Sequence, residues 1–217
     1  HLLPVDVDLS PNAINSKLRI TPSGHGFDNN VNCAEFCIRD YTVDINGAHV
    51  FTQAMWRDDC GLNPIYPQGG TWIYDRANWC PGGKAWAYEH ELTSYVTPGS
   101  TVNFDMDIEE YTWTGNQAPS YIIDAQLVTY GSPNFTHDAA ILDIIAPNNH
   151  EEHGRRNPIC GKPSIQIQNT GSANLNGALI TYGVVGGAPC YYWWIGDLGF
   201  LETVSYTHLT LPTRRFV

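Results

Sequence analysis

Glu35 lies between two cysteines that are four residues apart, in the segment Cys33–Cys37. A disulfide between these cysteines would close a very small ring, which would fix the backbone and with it the direction of the Glu35 side chain. Hydrolytic sites need a carboxylate held in place, because a misplaced base loses most of its effect. The alternative is a solvated Glu35 in a purely structural ring, and the residue pattern by itself favours that alternative.

A second candidate group lies in the segment Asp75–Cys80. The planar fork of Arg76 could bind a carboxylate or a polarised carbonyl oxygen, and Trp79 and Trp72 could stack on the faces of sugars. The alternative is an Asp75–Arg76 pair that holds a loop, with the tryptophans packed beneath it as core residues. Composition does not choose between these two interpretations.

Two further groups are weaker candidates for metal binding. The segment His150–His153 has a metal-like spacing but lies in a loop rich in Gly, Pro and Asn, where a solvated loop is the better interpretation. Asp105, Asp107 and Glu109 could bind calcium, but such a row is more often the solvated face of a strand. No GxSxG, HExxH or Gly-rich phosphate loop occurs in the sequence. We therefore assign no metal and no cofactor.

The composition fits a folded, acidic domain protein. The chain has 217 residues, of which 42% are hydrophobic and 15% charged, with a net charge of -11. A strongly negative surface repels phosphate backbones and anionic headgroups, which argues against nucleic acid as a partner. No apolar run approaches the length of a transmembrane helix, so we expect no membrane span.

The cysteines indicate an oxidising compartment. Their even number, wide spacing and lack of a CxxC motif are typical of structural disulfides rather than of a zinc site. We therefore expect a secreted, periplasmic or cell-surface protein. Six cysteines allow many pairings, of which the simplest joins sequence neighbours. The six are Cys33, Cys37, Cys60, Cys80, Cys160 and Cys190.

The elements that must position these residues are β-strands. Short alternating runs occur throughout the sequence, separated by many Gly, Pro and Asn residues, and no long segment keeps a helical period. In the clearest run, Val102, Phe104, Met106 and Ile108 are predicted to face the core. The sequence therefore predicts an all-β protein, with a jelly-roll β-sandwich followed by a smaller, incomplete immunoglobulin-like β-sandwich.

Three regions follow from this pattern. The jelly roll is expected over residues 1–131, ending at a Gly-Ser-Pro boundary, and the truncated immunoglobulin-like sandwich over residues 137–203. Residues 204–217 lack acidic side chains and resemble translated sequencing-adaptor DNA, so we interpret them as a non-native tail. The opening at His1 is interpreted as a processed or truncated N-terminus.

Taken together, these motifs resemble the C-terminal domain of the peptide-N-glycosidase F family. The resemblance runs from about Leu9 to Tyr130 and is carried by the order and spacing of several short motifs. They are Gly24-His25, Cys33-Ala34-Glu35-Phe36-Cys37, Cys60 with Asn63-Pro64-Ile65, Trp72, Asp75-Arg76-Ala77 and Trp79-Cys80-Pro81-Gly82. The second region is similar, more loosely, to immunoglobulin-like modules of exported bacterial proteins, which space or dock other domains.

The resemblance implies a fold, disulfides and a site. The fold is an eight-stranded jelly roll shared with copper-dependent peptide-amidating monooxygenases, whose copper ligands are not recognisable here. The implied disulfides are Cys33–Cys37 and Cys60–Cys80, which leaves Cys160 and Cys190 for each other. Family enzymes hydrolyse the amide between asparagine and the first N-acetylglucosamine of an N-glycan.

The residues carried over are catalytic or substrate-binding in the family. Glu35 takes the place of the supporting carboxylate and Arg76 that of the site arginine, while Trp79, His25 and Trp72 are assigned to substrate binding. Ser23 stands where family members often carry a tryptophan. The principal aspartate of the family comes from an N-terminal jelly roll, which is expected as the missing partner domain.

Two functional hypotheses follow. The first is a fragment of a secreted N-glycan amidase that acts on an N-glycan or glycoprotein and is inactive without its N-terminal half. The alternative is a non-catalytic glycan- or protein-binding module of a multidomain secreted protein. Fold alone does not decide between them, because one fold hosts many functions.

The third disulfide is directly testable. We expect non-reducing peptide mapping of protein from an oxidising host to recover Cys160 joined to Cys190, together with the two pairs that the resemblance implies. A peptide joining Cys37 to Cys60, or free thiols in that protein, would overturn this assignment.

Overall fold

The computed structural model describes residues 2–27, 33–62, 70–114, 118–147 and 163–206. The chain divides into two compact units, His1–Gly131 and Ser132–Val217. The described residues are almost entirely in strands, loops and turns, which confirms the all-β prediction. No helix in these ranges is long and apolar enough to span a membrane.

The first unit contains two antiparallel sheets in its described part. One has the strand order β1-β6-β3-β4 and the other β5-β2-β7. The described residues of this unit thus form seven strands, whereas the resemblance implied eight. A separate β-bridge joins Arg57 to Arg76. The strands are β1 (Val5–Asp8), β2 (Asn15–His25), β3 (Asp40–Ile45), β4 (Ala48–Ala54), β5 (Tyr88–Glu91), β6 (Thr101–Ile108) and β7 (Ser120–Tyr130), with a short 3-10 helix at Cys60–Leu62.

The core of the first unit lies between these sheets. Alternate residues of β2, such as Leu18 and Ile20, are buried and meet Tyr41 and Val43 of β3. The predicted alternation in β6 is confirmed, because Val102 is buried and the next three alternate apolar residues pack on the same core. Residues at odd positions of β6 point to the opposite face of the sheet.

One polar contact crosses this core. The Tyr41 hydroxyl of β3 and Nε2 of His90 on β5 are hydrogen-bonded at 2.6 Å, and the ring of Phe51 stacks on His90 with centroids 4.6 Å apart. Burial lowers the pKa of His90 below its usual value of 6.5 and raises the pKa of Tyr41. Both shifts favour the uncharged forms, so a neutral tyrosine and a neutral imidazole share this hydrogen bond.

The described part of the second unit also contains two small sheets, with the orders β12-β9-β8 and β10-β11. Its core joins the two sheets through Ile165 and Ile167 on one side and Ile180 and Trp194 on the other. The strands are β8 (Ala139–Ala146), β9 (Ser164–Asn169), β10 (Leu175–Tyr182), β11 (Cys190–Leu198) and β12 (Thr203–Tyr206).

Strand β12 extends past the predicted end of the second sandwich. Val204, Ser205 and Tyr206 pair with β9 in antiparallel register. The boundary predicted between residues 203 and 204 therefore falls inside a strand, and residues 207–217 lie outside the described ranges. Cys190 begins β11. Its predicted partner Cys160 is also outside those ranges, so that disulfide stays a prediction.

The Tyr41–His90 contact predicts a pH dependence of stability. Because the folded state depresses the pKa of His90, the unfolded chain binds more protons below about pH 6.5, and the free energy of unfolding falls as the pH drops further. In His90→Gln, whose amide can donate to or accept from Tyr41, we expect a smaller loss of stability between about pH 7.5 and pH 5. The difference should be about 1.4 kcal/mol for each unit of pKa depression, measured by urea unfolding.

The matched control is His137→Gln, because His137 is an exposed histidine. It should keep the wild-type pH profile. If His90→Gln and the wild type lost the same stability on acidification, the buried imidazole would not be responsible.

Candidate functional site

Three separate chain segments meet at the end of strand β2. Gly24 donates its backbone N–H to the Ala77 carbonyl at 3.1 Å, and a side chain at position 24 would collide with the Ala34 carbonyl, the Ala77 Cβ and the Tyr121 ring. Glycine is therefore required by a close approach of backbone rather than by a special backbone conformation. Because Gly24 has no side chain, the Cys33–Cys37 ring and the segment after Arg76 can pack against β2.

Glu35 is tied to both neighbouring segments. Its backbone N–H donates to the Gly26 carbonyl at 2.9 Å, and its own carbonyl accepts from the Ala77 N–H at 2.8 Å. The side chain is held as well, because Oε1 accepts from Arg76 Nη1 at 2.8 Å and Oε2 accepts from the Gly26 N–H at 3.1 Å. The Cys33–Cys37 disulfide closes the ring around it. With 14% of its side chain exposed, Glu35 is a fixed carboxylate with a small solvent-accessible surface.

Arg76 is the buried partner of this carboxylate. Only 2% of its side chain is exposed. Besides the bond to Glu35, Nε donates to the Tyr74 carbonyl at 3.2 Å and Nη2 donates to the Thr71 carbonyl. Burial lowers the pKa of Arg76, and the negative charge of Glu35 opposes that shift. An arginine stays protonated under such conditions, so its charge is compensated by Glu35.

Two aromatic rings enclose the guanidinium. The Cζ atom of Arg76 lies 4.9 Å from the centroid of Phe36 and 4.7 Å from that of Trp79, both within cation–π range. The indole N–H of Trp79 donates to the Gly24 carbonyl at 2.7 Å. His25 stacks on Trp79 with centroids 5.2 Å apart. These contacts bring Glu35, Arg76, Trp79 and His25 into one group.

Ser23 joins this group through His25. Its hydroxyl lies 2.9 Å from His25 Nε2, at hydrogen-bond distance. The small residue that stands where the family often carries tryptophan thus anchors the histidine ring. Trp72 is not part of the stacked group in the described ranges. It is half-buried in the segment whose carbonyls, at Thr71 and Tyr74, accept from Arg76.

Arg57 stabilises the loop that carries Arg76. The two arginines pair through their backbones, with N···O distances of 2.9 and 3.2 Å. The Arg57 guanidinium makes two bonds of 2.8 Å to the Asp59 carboxylate, donates to the Lys84 carbonyl at 2.7 Å and lies 4.4 Å from the centroid of Trp86. Together with the Cys60–Cys80 disulfide, these contacts hold both ends of the loop.

Asn78 sets the turn between Arg76 and Trp79. Its φ of 60° lies in the left-handed region, which asparagine tolerates better than most residues. The fully buried side chain donates to the carbonyls of Pro22 and Trp86, both at 2.7 Å, and accepts from the Tyr88 hydroxyl at 3.0 Å. The turn therefore fixes the directions in which Arg76 and Trp79 leave the loop.

Sequence reasoning did not find three of these residues. The sequence indicates Gly24 only as part of a motif, and its pattern assigns no role to Arg57 or Asn78. The Asn-Trp-Cys-Pro-Gly run is a turn signal that could have drawn attention to Asn78. Arg57 has no comparable signal, because its contacts lie up to 29 residues away in the chain, at Trp86.

The candidate metal ligands divide into three cases. Asp59, Cys60 and Cys80 lie close together, but the two sulfurs form a disulfide and offer no thiolate. Asp105 and Asp107 of β6 lie opposite Asp44 and Thr42 of β3 in the antiparallel register, and both aspartates are half-buried. The His150–His153 segment lies outside the described ranges.

The first unit matches a family of known proteins. The family model described as peptide-N-glycosidase F, C terminal, matches residues 1–128. A curated relative, the peptide-N(4)-(N-acetyl-β-D-glucosaminyl)asparagine amidase F of Elizabethkingia miricola, is 33% identical over 125 residues, which is 55% of this chain and 35% of the relative. The chain therefore spans about a third of the length of that relative.

Solved structures give a similar result. PNGase F, described as a glycosylasparaginase from Flavobacterium meningosepticum, matches with a TM-score of 0.54 and 30% identity, covering 60% of this chain and 45% of that chain. The structure of PNGF-II matches with a TM-score of 0.51 and 19% identity, covering 59% of this chain and 25% of that one. The second likeness bears on the fold alone.

The close approach at Gly24 gives a prediction about stability. In Gly24→Ala, the new methyl group must displace backbone as well as side chains, so we expect a loss of about 1–3 kcal/mol or more in the free energy of unfolding. Gly61→Ala is the matched control, because the nearest atom to its added Cβ would be 3.7 Å away, and it should stay within about 0.5 kcal/mol of wild type. Equal stabilities of the two variants in urea unfolding would show that the three segments do not pack as described.

Proposed function

Because the chain belongs to the peptide-N-glycosidase F, C-terminal family, we propose that its first unit is the C-terminal half of an N-glycan amidase. The family match confirms the resemblance of the sequence motifs. The observation that carries the proposal is the Glu35 carboxylate, held by Arg76 and the Gly26 backbone yet still reachable by solvent. This is the kind of preorganised carboxylate that hydrolysis requires.

The proposed reaction is hydrolysis of the side-chain amide that links asparagine to N-acetylglucosamine. Water adds to the amide carbonyl carbon, the carbon–nitrogen bond breaks, and the nitrogen leaves with the sugar while asparagine becomes aspartate. Such a reaction needs an activated water on one side and help for the carbonyl oxygen or leaving nitrogen on the other. A single carboxylate supplies only one of these.

The site residues take distinct roles in this proposal. Glu35 orients the water or stabilises the charge that develops in the transition state. Of the two roles expected for Arg76, holding Glu35 fits its buried guanidinium better than polarising the amide, because its contacts are internal. Trp79 and His25 shape the wall behind this pair, and Trp72 belongs to the loop that covers Arg76.

The second carboxylate would come from an N-terminal jelly roll of the same polypeptide, so the isolated chain is expected to be inactive. The two disulfides support secretion, or a periplasmic or cell-surface location, since they persist in oxidising compartments. For the second unit we propose an immunoglobulin-like module that spaces or docks other domains, on the basis of its two small sheets with a shared core.

The test compares glycan release from a glycopeptide by this chain, by the parent protein with its N-terminal half, and by the parent carrying Glu35→Gln. We expect no release by this chain and release by the parent. The Glu35→Gln parent should lose at least about 100-fold in rate, as is typical when one preorganised group that stabilises the transition state is removed. Glu89→Gln, at an exposed glutamate whose only described ion pair is with Lys17, should leave the parent's rate unchanged.

Robust release by the isolated chain would refute the split site. An unimpaired Glu35→Gln parent would return Glu35 to a structural role, and a parent without any release would favour the alternative of a glycan- or protein-binding module.

A further inference from the structure

The Trp79 ring is engaged from within the protein. The Arg76 guanidinium lies over it, the His25 ring stacks on it, and its N–H is bonded to the Gly24 carbonyl. These contacts engage the polar edge of the indole and its π surface. A half-buried ring that is engaged by three groups of the protein supports the site.

Three other aromatic rings lie near the Glu35–Arg76 pair, and two of them are exposed. Phe27 is 45% exposed and Tyr74 is 54% exposed, and the half-buried ring of Phe36 lies between them. The centroid of Phe36 is 5.0 Å from that of Phe27 and 6.4 Å from that of Tyr74, in edge-to-face arrangements of 74° and 81°. We call these three residues the aromatic row.

Each residue of the aromatic row is connected to the Glu35–Arg76 pair, either through a neighbour in the sequence or through a direct contact. Phe36 follows Glu35 directly and packs against the Arg76 guanidinium. Phe27 follows Gly26, whose N–H is bonded to Glu35 Oε2. The Tyr74 carbonyl accepts from Arg76 Nε. The row is therefore anchored to the same contacts that fix the carboxylate.

We propose that the aromatic row, rather than Trp79, is the surface on which a sugar ring of the glycan stacks; this inference rests on the proposed function. A pyranose offers a face of C–H groups to the aromatic rings and a rim of hydroxyls that can donate to the Glu35 carboxylate. Because Arg76 balances the charge of Glu35, the surface favours a neutral ligand over an ion. Peptide side chains differ from one glycoprotein to the next, whereas the sugar at the linkage is common to all of them.

The test uses methyl N-acetyl-β-D-glucosaminide as the probe and the full chain as the protein. When the probe is titrated into the protein, aromatic carbon–proton NMR spectra should show shifted resonances for Phe27, Phe36 and Tyr74. Tyr74→Ala and Phe27→Ala should each weaken binding about three- to tenfold, as expected for the loss of one aromatic contact. Tyr191→Ala, at an exposed tyrosine of the second unit, is the matched control and should bind like wild type.

Several results would overturn the proposal. They are no binding of the probe by the wild type, shifts confined to Trp79 and His25, or wild-type affinity in both row variants. Melting temperatures of the row variants close to wild type would show that any weaker binding comes from the missing rings. Glycan release by the parent protein is scored separately, so binding at the row without release would reject the amidase function and support the row.

Discussion

The buried guanidinium of Arg76 is the group around which the site is organised. Taking a charge out of water is costly unless it is paired and its donors are satisfied. Arg76 meets these conditions through the Glu35 carboxylate and the carbonyls of Thr71 and Tyr74. Because these partners come from separate segments, burial of the charge forces the disulfide ring and the 70–80 loop to keep one arrangement. Removing either charged partner would leave the other buried and unpaired.

The two disulfides stabilise the same arrangement by covalently restricting the chain. The Cys33–Cys37 bridge restricts the few residues around Glu35, whereas Cys60–Cys80 closes the much longer loop that carries Arg76. In the chain-entropy model, a loop of about 15–20 residues contributes about 3 kcal/mol by limiting the unfolded chain. The Glu35–Arg76 ion pair then fixes one geometry among those that the two disulfides still allow. The Arg57–Asp59 contacts extend this support to the base of the loop.

The sequence predicted the strands and the identities of the central pair better than it predicted their support. The alternation in Thr101–Ile108 follows from one buried face, which is a local property of the chain. Glu35 stands out because it lies inside the Cys33–Cys37 segment, and Arg76 because the family resemblance assigns the site arginine to it. The requirement for glycine at position 24, in contrast, depends on Ala34 and Ala77 approaching from distant parts of the chain. The exposure of Phe27 and Tyr74 likewise depends on which side of a loop faces the solvent, and no periodicity encodes it.

The arrangement of Glu35 also limits the role that this carboxylate can take in the proposed reaction. Its two carboxylate oxygens already accept from the Arg76 guanidinium and the Gly26 N–H, which suits a group that orients water or faces a developing positive charge. Taking up a proton from that water would remove the counter-charge of a buried arginine, and an uncompensated buried charge is costly. Proton abstraction is therefore better left to a second carboxylate in a different environment, since acid and base roles are separated where environments differ. The proposed hydrolysis would therefore need a group other than Glu35 to take the proton from water, because Glu35 is committed to Arg76.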